Sequence, residues 1–116
     1  MTPVTMYHNP RCSKSRQTLA LLQEKGCDPV IIEYLKTPPT PEELDTILRK
    51  LGMEPQDLLR TNEKRYSELD LGTKTLSRDE LIQIMVDNPV LIERPIVLTE
   101  NQAAIGRPPE AVLDLL

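Results

Sequence analysis

Apolar positions fall in short clusters along the chain, and their spacing changes from one cluster to the next. Val4, Thr5, Met6 and Tyr7 read as a strand, followed by a polar turn from His8 to Ser13. An apolar-rich segment follows and ends at Lys25-Gly26, where a glycine after a basic last turn stops a helix. Val30, Ile31, Ile32, Glu33 and Tyr34 form a β-branched run continuous enough for a strand covered on both faces. The opening therefore predicts a right-handed βαβ unit.

The middle of the chain follows a different period. Thr37-Pro38-Pro39 breaks the chain, Thr40 and Glu43 make a capping box around Pro41, and Leu44, Ile47, Leu48 and Leu51 fall at helical spacing before Gly52. Pro55 opens a short helix carrying Leu58, Leu59 and Arg60. Ser77 and Glu80 repeat the capping box ahead of Leu81, Ile82, Ile84 and Met85, and Asn88-Pro89 ends that helix. Ile96 to Leu98 and Ala103 to Ile105, with a few polar residues between, read as a hairpin. Pro108-Pro109 then opens a last helical segment through Val112, Leu113 and Leu116. The order is βαβ, a helical insertion, then ββα. That is an α/β class and the order of a thioredoxin-like domain with a four-stranded mixed sheet. No linker, repeat or low-complexity tract divides residues 1–116, so a single domain is expected.

Composition narrows the functions available. With no Phe or Trp and three tyrosines, stacking on nucleic-acid bases is not expected. A formal charge of −4 gives no electrostatic attraction to nucleic acid or an anionic membrane, so any small-anion site must be made locally. No segment approaches the run of about 20 apolar residues that spans a bilayer, and Met1 to Val4 lacks the order of a signal peptide. A cytoplasmic location is expected. Cys12 and Cys27 stand at opposite ends of the first helical segment, and a reducing cytosol argues against a structural bridge. Two separated cysteines and one histidine give no metal-ligand spacing, so no metal is expected, nor any tightly bound cofactor.

The chemistry concentrates in Tyr7-His8-Asn9-Pro10-Arg11-Cys12-Ser13-Lys14-Ser15. A cysteine where a strand gives way to a helix meets unpaired backbone N–H groups, which favour thiolate over thiol. Arg11, Lys14 and His8 can add positive charge, and Ser13 and Ser15 offer hydroxyls to a sulfur anion or an incoming oxyanion. The bland alternative, a small buried hydrophobe, suits Cys12 poorly because its neighbours are polar and basic. Cys27 is the opposite case, beside Asp28 and without a donor cluster, and reads as structural or incidental. His8 alone is as compatible with an exposed turn as with tuning the thiol. Most arginines simply solvate a surface. Arg94 before Pro95 and Arg107 between Gly106 and Pro108 differ, because restricted backbones at strand ends hold their side chains at fixed angles.

Five blocks in order carry a resemblance: His8-Asn9-Pro10-x-Cys12-x-x-Ser15-Arg16, Tyr34-Leu35-x-Thr37-Pro38-Pro39-Thr40, Leu58-Leu59-Arg60, Arg94-Pro95-Ile96-Val97 and Arg107-Pro108. Together they closely resemble the glutaredoxin-dependent arsenate reductase family along essentially the whole chain. The resemblance implies a thioredoxin-like fold with Arg94-Pro95 in the place of the cis-proline beside the active cysteine. It makes Cys12 the residue that bonds to arsenic, Arg60, Arg94 and Arg107 the groups that hold the oxyanion, and His8 and Ser15 supporting groups. It further implies arsenate or a similar small oxyanion as substrate, glutathione as co-substrate and glutaredoxin as partner. The chain departs from the pattern by ending at Leu116, short of longer members, and by carrying Arg11, which not all members have.

A rival class is a redox-sensing, RNA polymerase-binding transcription regulator of the same superfamily. Such proteins carry a Cys-x-x-Cys pair, whereas the corresponding positions here are Cys12 and Ser15 and the three arginines are present, which favours the enzyme. A reductase or thiol-adduct hydrolase with the same site and another natural substrate stays open.

Overall fold

The computed structural model describes residues 3–116. The chain falls into two compact units, one made of the chain up to Thr37 with Arg94–Leu116, the other of Pro38–Glu93. The leader reading falls partly on Met1 and Thr2, which lie outside the described residues.

The first unit contains strand β1 (Thr5–His8), helix α1 (Ser13–Glu24), strand β2 (Val30–Glu33), strands β3 (Ile96–Leu98) and β4 (Ala103–Ile105), and a closing 3-10 segment, Pro109–Leu115. They form one four-stranded sheet in the order β2-β1-β3-β4. β1 runs parallel to β2, with His8 opposite Glu33, and antiparallel to β3, with Met6 opposite Val97. β3 and β4 make the expected hairpin, Ile96 opposite Ile105. Val4, Met6, Leu22, Val97 and Val112 form the core of this unit, with Leu19, Cys27, Ala104 and Leu115 packed against it.

β2 corrects one expectation. It is the edge of the sheet, and Val30 and Ile31 are 64% and 40% exposed, so the strand is not covered on both faces. A continuous β-branched run does not distinguish an edge strand from a central one, because β-branched side chains suit any pleated surface and what covers that surface comes from elsewhere in the chain.

α1 starts at Cys12, whose backbone is extended (φ −92, ψ 123), and ends where Gly26 turns left-handed (φ +80). There the Gly26 N–H bonds the Gln23 carbonyl and the Cys27 N–H bonds that of Leu22 at 2.8 Å, the paired closure that a left-handed glycine permits. The buried face of α1 is Ser15, Thr18 and Leu22, polar near the start and apolar towards the end.

The second unit is helical: α2 (Pro41–Leu51), α3 (Pro55–Leu58), α4 (Lys64–Glu68) and α5 (Arg78–Asp87), followed by a 3-10 turn, Pro89–Leu91. Both capping boxes form. Thr40 Oγ1 accepts from Glu43 N at 3.1 Å while Glu43 accepts from Thr40 N, and Ser77 and Glu80 repeat the exchange. Caps of this kind contribute about 1 kcal/mol each. Leu44, Ile47 and Leu48 of α2 and Leu81, Ile82 and Met85 of α5 are buried, and the two helices pack together. Arg78 at the start of α5 reaches Asp45 of α2 at 2.7 Å, and Arg49 reaches the same carboxylate at 2.8 Å.

The helix expected to carry Leu58, Leu59 and Arg60 stops at Leu58. Leu59 is extended (φ −82, ψ 128) and makes an antiparallel bridge with Ile92, so Arg60 N bonds the Leu91 carbonyl at 2.8 Å and Glu93 N bonds the Leu58 carbonyl at 2.9 Å. The helical rule was overridden by a partner about thirty residues away, which local spacing does not contain. No helix among the described residues is long and apolar enough to cross a membrane.

Candidate active site

β1 delivers the loop His8 to Arg11 directly into α1, and that loop is tied down at several points. Cys12 N donates to the Asn9 carbonyl at 3.0 Å, and Arg11 N donates to Asn9 Oδ1 at 3.0 Å, an Asx turn of the kind an Asn-Pro pair favours. Arg16, one turn along α1, reaches back to the Pro10 carbonyl at 2.9 Å. Asn9 therefore organises the turn, a role the sequence reading did not assign, although the Asn-Pro dipeptide is a turn signal.

Cys12 caps α1 and is only 8% exposed. The first amides of α1 have no partner within the helix, so they favour an anion at this end. The Cys12 Sγ also accepts a hydrogen bond from Arg107 Nη2 at 3.7 Å. The sulfur thus lies beside helix N–H groups and a guanidinium, both hydrogen-bond donors.

Behind the sulfur lies a buried pair. Ser15 Oγ accepts from Asn9 N at 3.0 Å and lies 2.7 Å from His8 Nδ1. The direction of that second bond follows the tautomer of the His8 ring. Burial holds the His8 pKa below its ordinary value; Glu33 opposite it pulls the other way and Arg16 pushes with burial. Burial thus favours the neutral ring, which is hydrogen-bonded to Ser15 in the first turn of α1.

Arg94 and Arg107 are brought together at the two ends of the hairpin. The Arg94–Pro95 and Arg107–Pro108 peptides are both cis. Arg107 Nε donates to the Arg94 carbonyl at 2.8 Å, which fixes one edge of its guanidinium and leaves the other turned to Cys12. Arg94 buries its Nε and Nη1 atoms. Gly106 permits this approach: a Cβ there would lie 2.7 Å from Pro95 Cγ and closer still to Thr18 Oγ1, so only glycine fits between α1 and the proline. Thr18 is fully buried and donates to the Lys14 carbonyl, a further contact that spacing alone did not single out.

Arg60 lies in the second unit, where its guanidinium pairs with Glu63 and reaches Glu93 at 3.7 Å. Neither carboxylate was singled out by the sequence. Cys27 is free, as is Cys12, and packs against the core; burial pushes its thiol up, and Asp28 adds to the shift.

A thioredoxin-like α/β fold with a cysteine at the start of its first helix and an arginine on that sulfur defines the class of protein. The chain belongs to the ArsC family, whose model matches residues 7–115. It is 52% identical to Uncharacterized protein YfgD of Escherichia coli (strain K12) over 97% of this chain and 96% of that one. It is 46% identical to an arsenate reductase of Haemophilus influenzae, over 97% of this chain and 98% of the relative. Among solved structures, the arsenate reductase from Vibrio cholerae superposes with a TM-score of 0.95 at 50% identity, covering 99% of this chain and 98% of that one.

Proposed function

We propose that the protein reduces arsenate to arsenite through a covalent bond between Cys12 and arsenic, with glutathione and glutaredoxin supplying the electrons. The observation that carries this reading is Arg107 Nη2 at 3.7 Å from the Cys12 sulfur. It sets an anion-binding fork beside a nucleophile at a helix start. The named relatives support the substrate.

In the first step the Cys12 thiolate attacks a bound arsenate. One arsenic–oxygen bond breaks, the oxygen leaves as water after taking up protons, and a sulfur–arsenic bond forms without change of oxidation state. Guanidinium groups neutralise the oxygens through charge-assisted hydrogen bonds as the crowded intermediate develops. Arg94 and Arg107 serve this role, and the resemblance assigns Arg60 to the same task.

Reduction then needs a second thiol, because arsenic(V) becomes arsenic(III) by gaining two electrons. Ser15 has no sulfur to offer, and Cys27 lies beyond the 12-residue α1, about 18 Å of helix away. The attacking thiol is therefore external. It bonds to the Cys12 sulfur, the sulfur–arsenic bond breaks with its electron pair left on arsenic, and arsenite departs. The mixed disulfide on Cys12 is cleared by a further thiol, the task proposed for glutaredoxin.

A steady-state assay with arsenate, glutathione and glutaredoxin tests the assignment. Cys12→Ser should abolish arsenite formation, since a hydroxyl is far less nucleophilic than a thiolate, while Cys27→Ser retains nearly all of it. Equal loss from both substitutions would overturn the single-nucleophile mechanism.

A further inference from the structure

A cavity of about 300 Å³ opens beside the active loop, walled by His8, Pro10, Arg11, Glu33, Leu35 and Lys36. We propose that it receives the external reductant, a small thiol that carries carboxylates and an ammonium group. The inference rests on the arsenate-reducing mechanism and adds where its second substrate enters.

The first argument is one of direction. Displacement at a sulfur requires the entering thiolate and the departing group to lie in line through that sulfur. Arg94 precedes β3 and Arg107 follows β4, so the anion groups of this unit lie on the β3–β4 side of β1. A thiol that comes from the β2 side of β1 approaches away from those groups. The cavity lies on that side, between the end of β1 and the end of β2, where His8 stands opposite Glu33 in the parallel register. Its wall runs to Arg11, which is bonded directly to Cys12.

The second argument is the chemistry of the lining. Arg11 makes no ion pair among the described residues, so its fork is available to a carboxylate. Lys36 pairs with Glu33 at 3.4 Å, but the Lys36 side chain is largely exposed and that of Glu33 partly so, and such a pair is weak. A ligand that brings its own carboxylate and ammonium can exchange with it, the carboxylate to Lys36 and the ammonium to Glu33. Pro10 and Leu35 supply apolar surface for the body of the ligand. A volume at the small end of ligand pockets suits a molecule of a few residues' size rather than a folded partner.

The occupant's thiolate forms the sulfur–sulfur bond to Cys12 as the sulfur–arsenic bond breaks. The two electrons go to arsenic, and the cavity retains one half of the mixed disulfide until a second thiol removes it.

Two measurements decide the matter. Reduced glutathione titrated into the intact Cys12→Ser protein, which cannot form the disulfide, should shift backbone amides at residues 9–11 and 33–36. Those shifts should disappear in the same protein carrying Arg11→Ala and Lys36→Ala. Absence of shifts, or shifts confined to other residues, overturns the proposal. This arm involves no arsenate and stands whether or not arsenate is the substrate. In turnover, the Arg11→Ala, Lys36→Ala double variant should lower kcat/KM for glutathione by about tenfold relative to kcat/KM for uncharged 2-mercaptoethanol. Equal losses with the two thiols, or no loss with either, would contradict it.

Discussion

Arg107 shows why single side chains matter so much in this site. One edge of its guanidinium is committed to the Arg94 carbonyl and the other faces the Cys12 sulfur, so a rigid planar fork is used on both sides. A lysine offers a point charge and cannot make both contacts. On the proposed mechanism, Arg107→Lys should lower kcat/KM for arsenate by roughly 10- to 100-fold, the equivalent of one or two charge-assisted hydrogen bonds. Initial rates over a range of arsenate concentrations check this, and an unchanged value would show that the fork does not hold the oxyanion. His8 has a different signature. Its folded pKa lies below the ordinary value of 6.5, mainly through burial, so the unfolded chain takes up the proton first as pH falls. Its contribution to stability is complete above about pH 6.5 and declines below it, towards the folded pKa. Urea unfolding midpoints measured across that window should fall with pH in the native protein and fall less in His8→Gln. Parallel curves would show that His8 is not the group responsible.

At the level of elements, the hairpin and α1 fit together through one position. Gly106 lies between Thr18 of α1 and Pro95, and the residue after it is Arg107. Gly106→Ala should therefore cost about 1–3 kcal/mol of stability, as overpacking does, and should also lower activity by displacing Arg107. Denaturation and kinetics on the same preparation check both effects; a fully stable and fully active variant would contradict the packing described. The hairpin itself was legible from two short apolar runs separated by a few polar residues, and α2 and α5 from their capping boxes, because those signals are local. The features that escaped were not local. Leu59 leaves its helix to meet Ile92, β2 is exposed because it is last in the sheet, and α4 carries no apolar period to announce it.

Across the whole molecule, the sequence placed Cys12 correctly between strand and helix and its surroundings less well. Cys12 was readable because a cysteine between a strand and a helix has one physical consequence, exposure to helix N–H groups. The Arg107 contact and the Arg60–Glu93 pair join residues far apart in the chain, and the Ser15–His8 bond spans the turn between strand and helix, so no spacing rule reports them. The central claim is that one thiol of this chain reacts and that a second thiol comes from outside. Mass spectrometry of peptides after a single turnover tests it most directly. Reduced protein is mixed with arsenate and one equivalent of glutathione, quenched by acid and digested. The expected result is one glutathione attached at Cys12 with Cys27 still a free thiol. A disulfide between Cys12 and Cys27, with no glutathione attached, would contradict the account.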